Sequence, residues 1–145
     1  MLRPVFRAGE TYAVDRDISE TDALAFWCAP AKTTCLAEDA AGAALGSFYM
    51  AANQGGGGAH VANAGFVTAA SARGRGVARA MLRDALDRAR GAGFRAMQFN
   101  FVVATNTGAI ALWRSEGFEI VGRLPGAFRH PGAGEVDALV MYRRL

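Results

Sequence analysis

A mixed α/β (α+β) fold is predicted for this 145-residue sequence on three observations. Apolar runs of strand type interleave with helical patterns in the order strand, helix, three strands, helix, strand, helix, two strands. A hairpin turn, Asp39-Ala40-Ala41-Gly42, joins two of those runs, and a long amphipathic segment lies between two others. The apolar fraction is 52% against 20% charged residues, enough material for one core in a single domain spanning 1–145.

Gly9 to Asp17 alternates weakly through Tyr12 and Val14 and reads as a first strand. Ser19 caps a helix through Trp27, with Asp22 at the capping-box position; Leu24, Phe26 and Trp27 form its buried side and Pro30 stops it. Thr33 to Glu38 and Ala44 to Ala52 are the hairpin strands. Gln54 to Ala59, with four consecutive glycines, reads as a flexible tip without regular structure. His60 to Thr68 is a central strand, and the helix from Gly76 carries Val77, Met81, Ala85 and Ala89 on one stripe, flanked by Leu82 and Leu86. Its other face pairs Asp84 with Arg88 at i,i+4 and reads as solvated. Gly91-Ala92-Gly93 ends this helix, Ala96 to Ala104 is a buried strand, and a short helix runs from Asn106 to Glu116. Phe118 to Gly122 and Val136 to Arg143 are the last strands, and Arg123 to Glu135, with two prolines and three glycines, reads as an irregular connection.

Composition removes several function classes. Lys32 is the only lysine and the net charge is +3, so a nucleic-acid partner is not demanded; the aspartates within the basic helix argue against one. Cys28 and Cys35 have no His or Cys at metal-ligand spacing, so no metal site is expected. No run approaches the ~20 apolar residues of a membrane span, and no signal-peptide pattern opens the chain, which together imply a reduced, cytoplasmic setting.

The most informative stretch is Arg73-Gly74-Arg75-Gly76-Val77-Ala78, between a strand and a helix. A helix start offers amides without intrahelical partners and about half a positive charge. Arg73, Arg75 and Arg79 crowd the same point with permanent charge, which suits a ligand carrying several phosphates.

The spacing Arg73-x-x-Gly76-x-Ala78 resembles the first signature of the GCN5-related N-acetyltransferases (GNAT), and Asn106-x-x-Ala109-x-x-Leu112-Trp113-x-x-x-Gly117-Phe118 resembles the second. The resemblance covers about Gly9 to Leu145. It implies a central mixed, largely antiparallel sheet of about six to seven strands flanked by helices, and an acetyl-CoA-dependent transfer to an amine in a ternary complex. It also implies that the backbone of Phe66, Val67 and Thr68 pairs with the pantetheine arm. The turn residues Arg73, Gly74, Arg75, Gly76, Val77 and Ala78 would hold the pyrophosphate, while Asn106 and Trp113 meet the cofactor arm. Frequent homodimers among similar proteins make the last strands a candidate contact between copies.

Such a transfer needs an amine freed of its proton, a stabilised oxyanion and a protonated thiolate. Many members of the family place a tyrosine at the position of Trp113; an indole is no practical acid, so Tyr49, Tyr142 or solvent replaces it. The strand before the turn carries Asn63 and no glutamate, and the next strand carries Asn100 beside Gln98. Amides on central strands need partners. Either Asn63 and Asn100 satisfy splayed backbone, or Asn63, Asn100 and Asn106 converge as catalytic groups that orient substrate or hold a relaying water. The Arg123 to Glu135 stretch is expected to be a substrate lid, with Arg129 meeting a substrate carboxylate, and Tyr49, Asn63 and Asn100 completing the acceptor site. A small-molecule amine, an amino acid or analogue, is the expected acceptor. Peptide or protein amines, an acyl-CoA sensor without turnover, and an RNA-binding surface are the alternatives.

Overall fold

The computed structural model describes all residues from Met1 to Leu145. Six strands form one sheet in the order β1-β2-β3-β4-β6-β5. They are β1 (Thr33–Glu38), β2 (Ala44–Ala52), β3 (Val61–Thr68), β4 (Ala96–Val103), β5 (Glu119–His130) and β6 (Gly134–Arg144). Four helices accompany them: α1 (Leu2–Ala8), α2 (Glu20–Trp27), α3 (Val77–Gly91) and α4 (Thr107–Ser115). Every strand pair is antiparallel except β3 with β4, which the α3 crossover makes parallel.

One face of the sheet buries Phe48, Met50, Ala62 and Ala64 from β2 and β3 together with Met97 and Phe99 from β4. The expected stripe of α3 covers it through Met81, Leu82, Ala85, Leu86 and Ala89, and α4 adds Trp113. A smaller cluster on the other side gathers Phe6, Ala23, Trp27 and Val67, with Tyr12, Phe26 and Tyr49 packed against it. Within it the Trp27 indole donates to Ser47 Oγ (2.9 Å), and Ser47 donates to Cys35 O (2.8 Å), so the buried hydroxyl is satisfied in both directions.

Four expectations need correction. Gly9 to Asp17 is not a strand: Tyr12 and Val14 point into the smaller cluster from an irregular loop, so their alternation reflects packing and not a ladder. Ahead of that loop lies α1, with Phe6 buried and Gly9 ending it at φ 65°. On α2 the buried residues are Ala23 and Trp27, whereas Leu24 is 50% exposed. The glycine run holds a single 3₁₀ turn, Gly56–Gly58.

The fourth correction matters most for function. Arg123 to Glu135 is not an irregular lid but the distal half of a β5–β6 hairpin, registered through Phe128↔Val136, Arg129↔Glu135 and His130↔Gly134. A bulge between Leu124 and Phe128 absorbs Pro125 and Gly126, where a missing N–H costs no ladder bond. Asp137 fixes that bulge by accepting from Gly126 N (2.9 Å) and Arg123 Nη1 (2.5 Å). The Gly126 amide first, and the Arg123 guanidinium second, hold the Asp137 carboxyl below its usual range.

Candidate active site

The sheet opens where β3 and β4 part. Their parallel register runs only from Val61↔Ala96 to Asn63↔Gln98. At that fork Asn63 Nδ2 donates to Gln98 O (3.0 Å), so the amide satisfies splayed backbone from the last rung. At the two ends of β3, Val61 O accepts from Asn53 N and Ala69 N donates to Leu45 O, which turns the odd-numbered residues of β3 toward β2. The backbone groups of Phe66 and Thr68 therefore face the opening. Phe66 O is already engaged: it accepts from the Tyr12 hydroxyl at 2.9 Å.

At the end of β3 the chain makes a 3₁₀ turn over Ala70–Ala72 and then the Arg73–Gly76 turn into α3. Gly74 (φ 73°) and Gly76 (φ 78°) are both left-handed, with open space where a Cβ would sit. Gly76 is the N-cap of α3 and no side chain caps its first turn, so the amides of Val77 to Arg79 lack intrahelical partners. Arg73 and Arg75 make no ion pair there. Arg79 departs from the expected crowd: its guanidinium pairs with Glu116, which also accepts from Arg83 Nη2 (3.0 Å) and Nε (3.2 Å). An uncapped helix start behind two left-handed glycines, with two unpaired arginines, fits a polyphosphate.

The other expected site residues fall in distinct places. Trp113 is 7% exposed, with its ring 5.2 Å from Phe66 and 5.1 Å from Phe99, so the indole is part of the core beneath β3. Asn106 is the N-cap of α4 and accepts from Ala109 N (3.3 Å). Asn100 is exposed and joins a surface chain, accepting from Gln98 Nε2 (2.7 Å) and donating to Asn53 Oδ1 (2.6 Å). Asn63 and Asn100 each bond near Gln98, while Asn106 is held on a helix that packs against the α3 face.

Tyr49 lies across Gly65, its register partner: a Cβ on Gly65 would meet Tyr49 Cε1 at 2.5 Å. Lys32 Nζ sits 3.9 Å from the centre of the Tyr49 ring and 4.0 Å from that of Phe26, a cation–π pair that partly offsets its lost hydration. Burial pushes the Lys32 ammonium down and the Tyr49 phenol up.

A cleft of about 370 Å³ opens between the 9–16 loop and the tip of the β5–β6 hairpin. Tyr12, Asp15 and Arg16 line one wall, and Phe128, Arg129 and Pro131 the other. Sequence reading found Arg129 but missed Tyr12, Asp15 and Arg16, because a loop residue gains its partners only through tertiary packing. Burial, and then the neighbouring Tyr49, push the Tyr12 phenol far above its usual range, so it stays protonated.

Comparison with known proteins agrees with this geometry. The profile of the Acetyltransferase (GNAT) family matches residues 3–118. The N-acetyltransferase aca1 of Schizosaccharomyces pombe is 33% identical over 148 residues, covering 91% of this chain and 71% of its own length. A GCN5-related N-acetyltransferase from Kribbella flavida superposes with a TM-score of 0.94 at 49% identity, covering 99% of this chain and 87% of the other. A phosphinothricin acetyltransferase from Sinorhizobium meliloti, solved with acetyl-CoA, shares the fold at a TM-score of 0.85 and 24% identity, over 99% and 78% of the two chains. With a forked sheet, an uncapped helix start and a family match over most of its length, the chain belongs to the GNAT family and is an acetyl-CoA-dependent N-acetyltransferase.

Proposed function

We propose that the acceptor is the amine of a small molecule bearing a carboxylate, an amino acid or analogue, bound in the cleft between the 9–16 loop and the hairpin tip. The observation that carries this reading is the composition of the cleft: Asp15 on one side, Arg16 and Arg129 about it, apolar Phe128 and Pro131 between. Charges of both signs around a volume near the lower end of small-molecule sites match a zwitterion better than an extended peptide. The hairpin register sets Arg129 opposite Glu135, with which it forms an exposed ion pair at 3.6 Å, so a substrate carboxylate would take the place of Glu135 on the guanidinium.

The acetyl thioester supplies the electrophile. This chain's residues bind and orient it. The gap-facing backbone of Phe66 and Thr68, on either side of Val67, which is turned to β2, offers a strand edge for amide pairing, and Arg73, Gly74, Arg75, Gly76, Val77 and Ala78 receive the phosphates at the start of α3. Asn106, whose Nδ2 is not used in capping, stands at the start of α4, and Trp113 supports the same opening from the core beneath Phe66. Asn63 and Asn100 lie on the amide-lined side of the fork and not in the cleft wall, so there they would hold a relaying water rather than touch the acceptor. Tyr49 lies outside the cleft lining, packed on Phe26 and Trp27; kept protonated by burial, it is no base at neutral pH and supports the acceptor site from behind. The unpaired Cys28 and Cys35 support a reducing, cytoplasmic setting. Exposed Ile120, Val121 and Leu124 on the edge strand β5 support a homodimer through the last strands.

Coenzyme A release measured across free amino acids, polyamines, aminoglycosides and short peptides tests the acceptor class. Free amino acids are expected to lead. A preference for peptides over every free amino acid refutes the reading.

A further inference from the structure

We propose that Tyr12 is the residue that positions the acceptor amine for attack, joining the acceptor cleft to the donor strand. The proposal rests on the acceptor cleft assigned above and goes beyond it, since it gives a specific atom the task of orienting the nucleophile. Two independent observations meet at this residue. Tyr12 lines the cleft opposite Arg129, and its hydroxyl donates to Phe66 O at 2.9 Å, on the edge of β3 that faces the opening. No other residue of the cleft also bonds the donor strand.

A phenol hydroxyl has one hydrogen and acceptor lone pairs. With the hydrogen committed to Phe66 O, Tyr12 Oη can only accept from a further ligand, and an amine N–H is the donor that a zwitterionic acceptor brings to that junction. Once the ammonium of the zwitterion has lost one proton to solvent, the neutral amine held by one N–H at Oη has its lone pair free to turn toward the fork. As the nitrogen forms its bond to the acetyl carbon and displaces the thiolate, the amine gives up the proton that the thiolate takes up. The phenol does not titrate in this step. It is held in place on its other sides by the Phe6 ring at 5.4 Å and the Trp27 ring at 5.8 Å, both edge-on, so its position is set by packing and not by the ligand.

Tyr12→Phe keeps the ring and its packing and removes only Oη. Steady-state kinetics on the purified full chain use the fastest free amino acid of the panel as the acceptor, varied against acetyl-CoA. The expected result is a loss of about 10- to 100-fold in kcat/KM for the amine, the scale of a hydrogen bond to a charged or reacting group. The KM for acetyl-CoA should stay within about twofold and the melting temperature should move little, a split that a merely structural role would not give. Unchanged kcat/KM for the amine in the folded variant overturns the proposal alone. An equal rise in both KM values also overturns it, because Tyr12 would then shape the donor strand. Absence of turnover with every free amino acid in the unsubstituted protein overturns both this proposal and the acceptor class.

Discussion

Gly65→Ala is the sharpest test of how the smaller cluster is built. Gly65 lies opposite Tyr49 in the β2–β3 register, and the added methyl would come within 2.5 Å of Tyr49 Cε1, 2.8 Å of Cζ and 3.0 Å of the hydroxyl. Its backbone is ordinary extended strand, so the cost is steric and not conformational. The obstacle is a rigid ring wedged against Trp27 (4.9 Å), Phe26 (6.1 Å) and the Lys32 ammonium, and cannot rotate away cheaply. Overpacking of this kind costs about 1–3 kcal/mol. An unfolding entropy of about 0.3 kcal/mol/K for a chain of this size converts that to a fall of roughly 3–10 °C in Tm. Thermal unfolding of Gly65→Ala, Tyr49→Ala and the double variant forms a cycle. With the ring gone, the methyl should cost almost nothing, leaving a coupling of about 1–3 kcal/mol between the two sites. Strict additivity refutes the argument, because it would mean that the two residues do not compete for the same space.

Other expectations follow from separate parts of the molecule. Gly76→Ala puts a side chain on left-handed backbone at a cost of about 1–2 kcal/mol; the free variant escapes it by relaxing the turn and binding must restore it, so isothermal titration with acetyl-CoA should give about 5- to 30-fold weaker binding. Arg129→Ala should raise KM about tenfold for amino acids yet leave amines without a carboxylate unaffected, as initial rates on matched acceptor pairs will report. Glu116 is held below its ordinary 4.5, chiefly by hydrogen bonds from Arg83 with Arg79 assisting. Its contribution to stability is therefore full above that ordinary value and is lost as pH falls through the lower folded one. Glu116→Gln should flatten the melting temperature against pH across that acid range. The proposed homodimer through β5 predicts a dimer mass for the unsubstituted chain in sedimentation experiments and a monomer mass, with the fold intact, when Val121 and Leu124 are replaced by Asp.

The elements that were legible in sequence are those whose signal is local. Ser19 with Asp22, the apolar stripe from Val77 to Ala89, and the Asp39–Gly42 turn each fix their structure through residues within a few positions. In that turn Asp39 Oδ1 accepts from both Ala41 N and Ala43 N at 2.9 Å, and Gly42 takes φ 81°. The glycine turn and the Asn106 to Phe118 spacing were legible for the same reason, because a helix start, uncapped at Gly76 and capped by its own side chain at Asn106, is a local property. The misread segments depend on partners distant in sequence. Pro125 and Gly126 look like loop residues until Asp137, eleven residues beyond Gly126, closes the bulge around them. Tyr12 looks like one half of a weak alternation until Phe66 O, 54 residues away, accepts its hydroxyl. Arg79 reads as a phosphate ligand until Glu116, 37 residues on, takes its charge.

The fork in the sheet also divides the protein as a folding object. On one side β1, β2 and β3 follow one another in sequence as an antiparallel meander, with α3 packed on β2 and β3; on the other, β4, β6 and β5 form a second antiparallel unit. A parallel seam of three register pairs is the only sheet contact between them. Each half is rich in short-range pairing and can form early, whereas the seam must wait for the α3 crossover to bring β4 alongside β3. Amide exchange should then resolve two cooperative blocks, and a ligand lodged in the fork would bind both, slowing exchange in each half at once. Occupancy of the donor site thus becomes a measure of how far the two halves behave as one molecule.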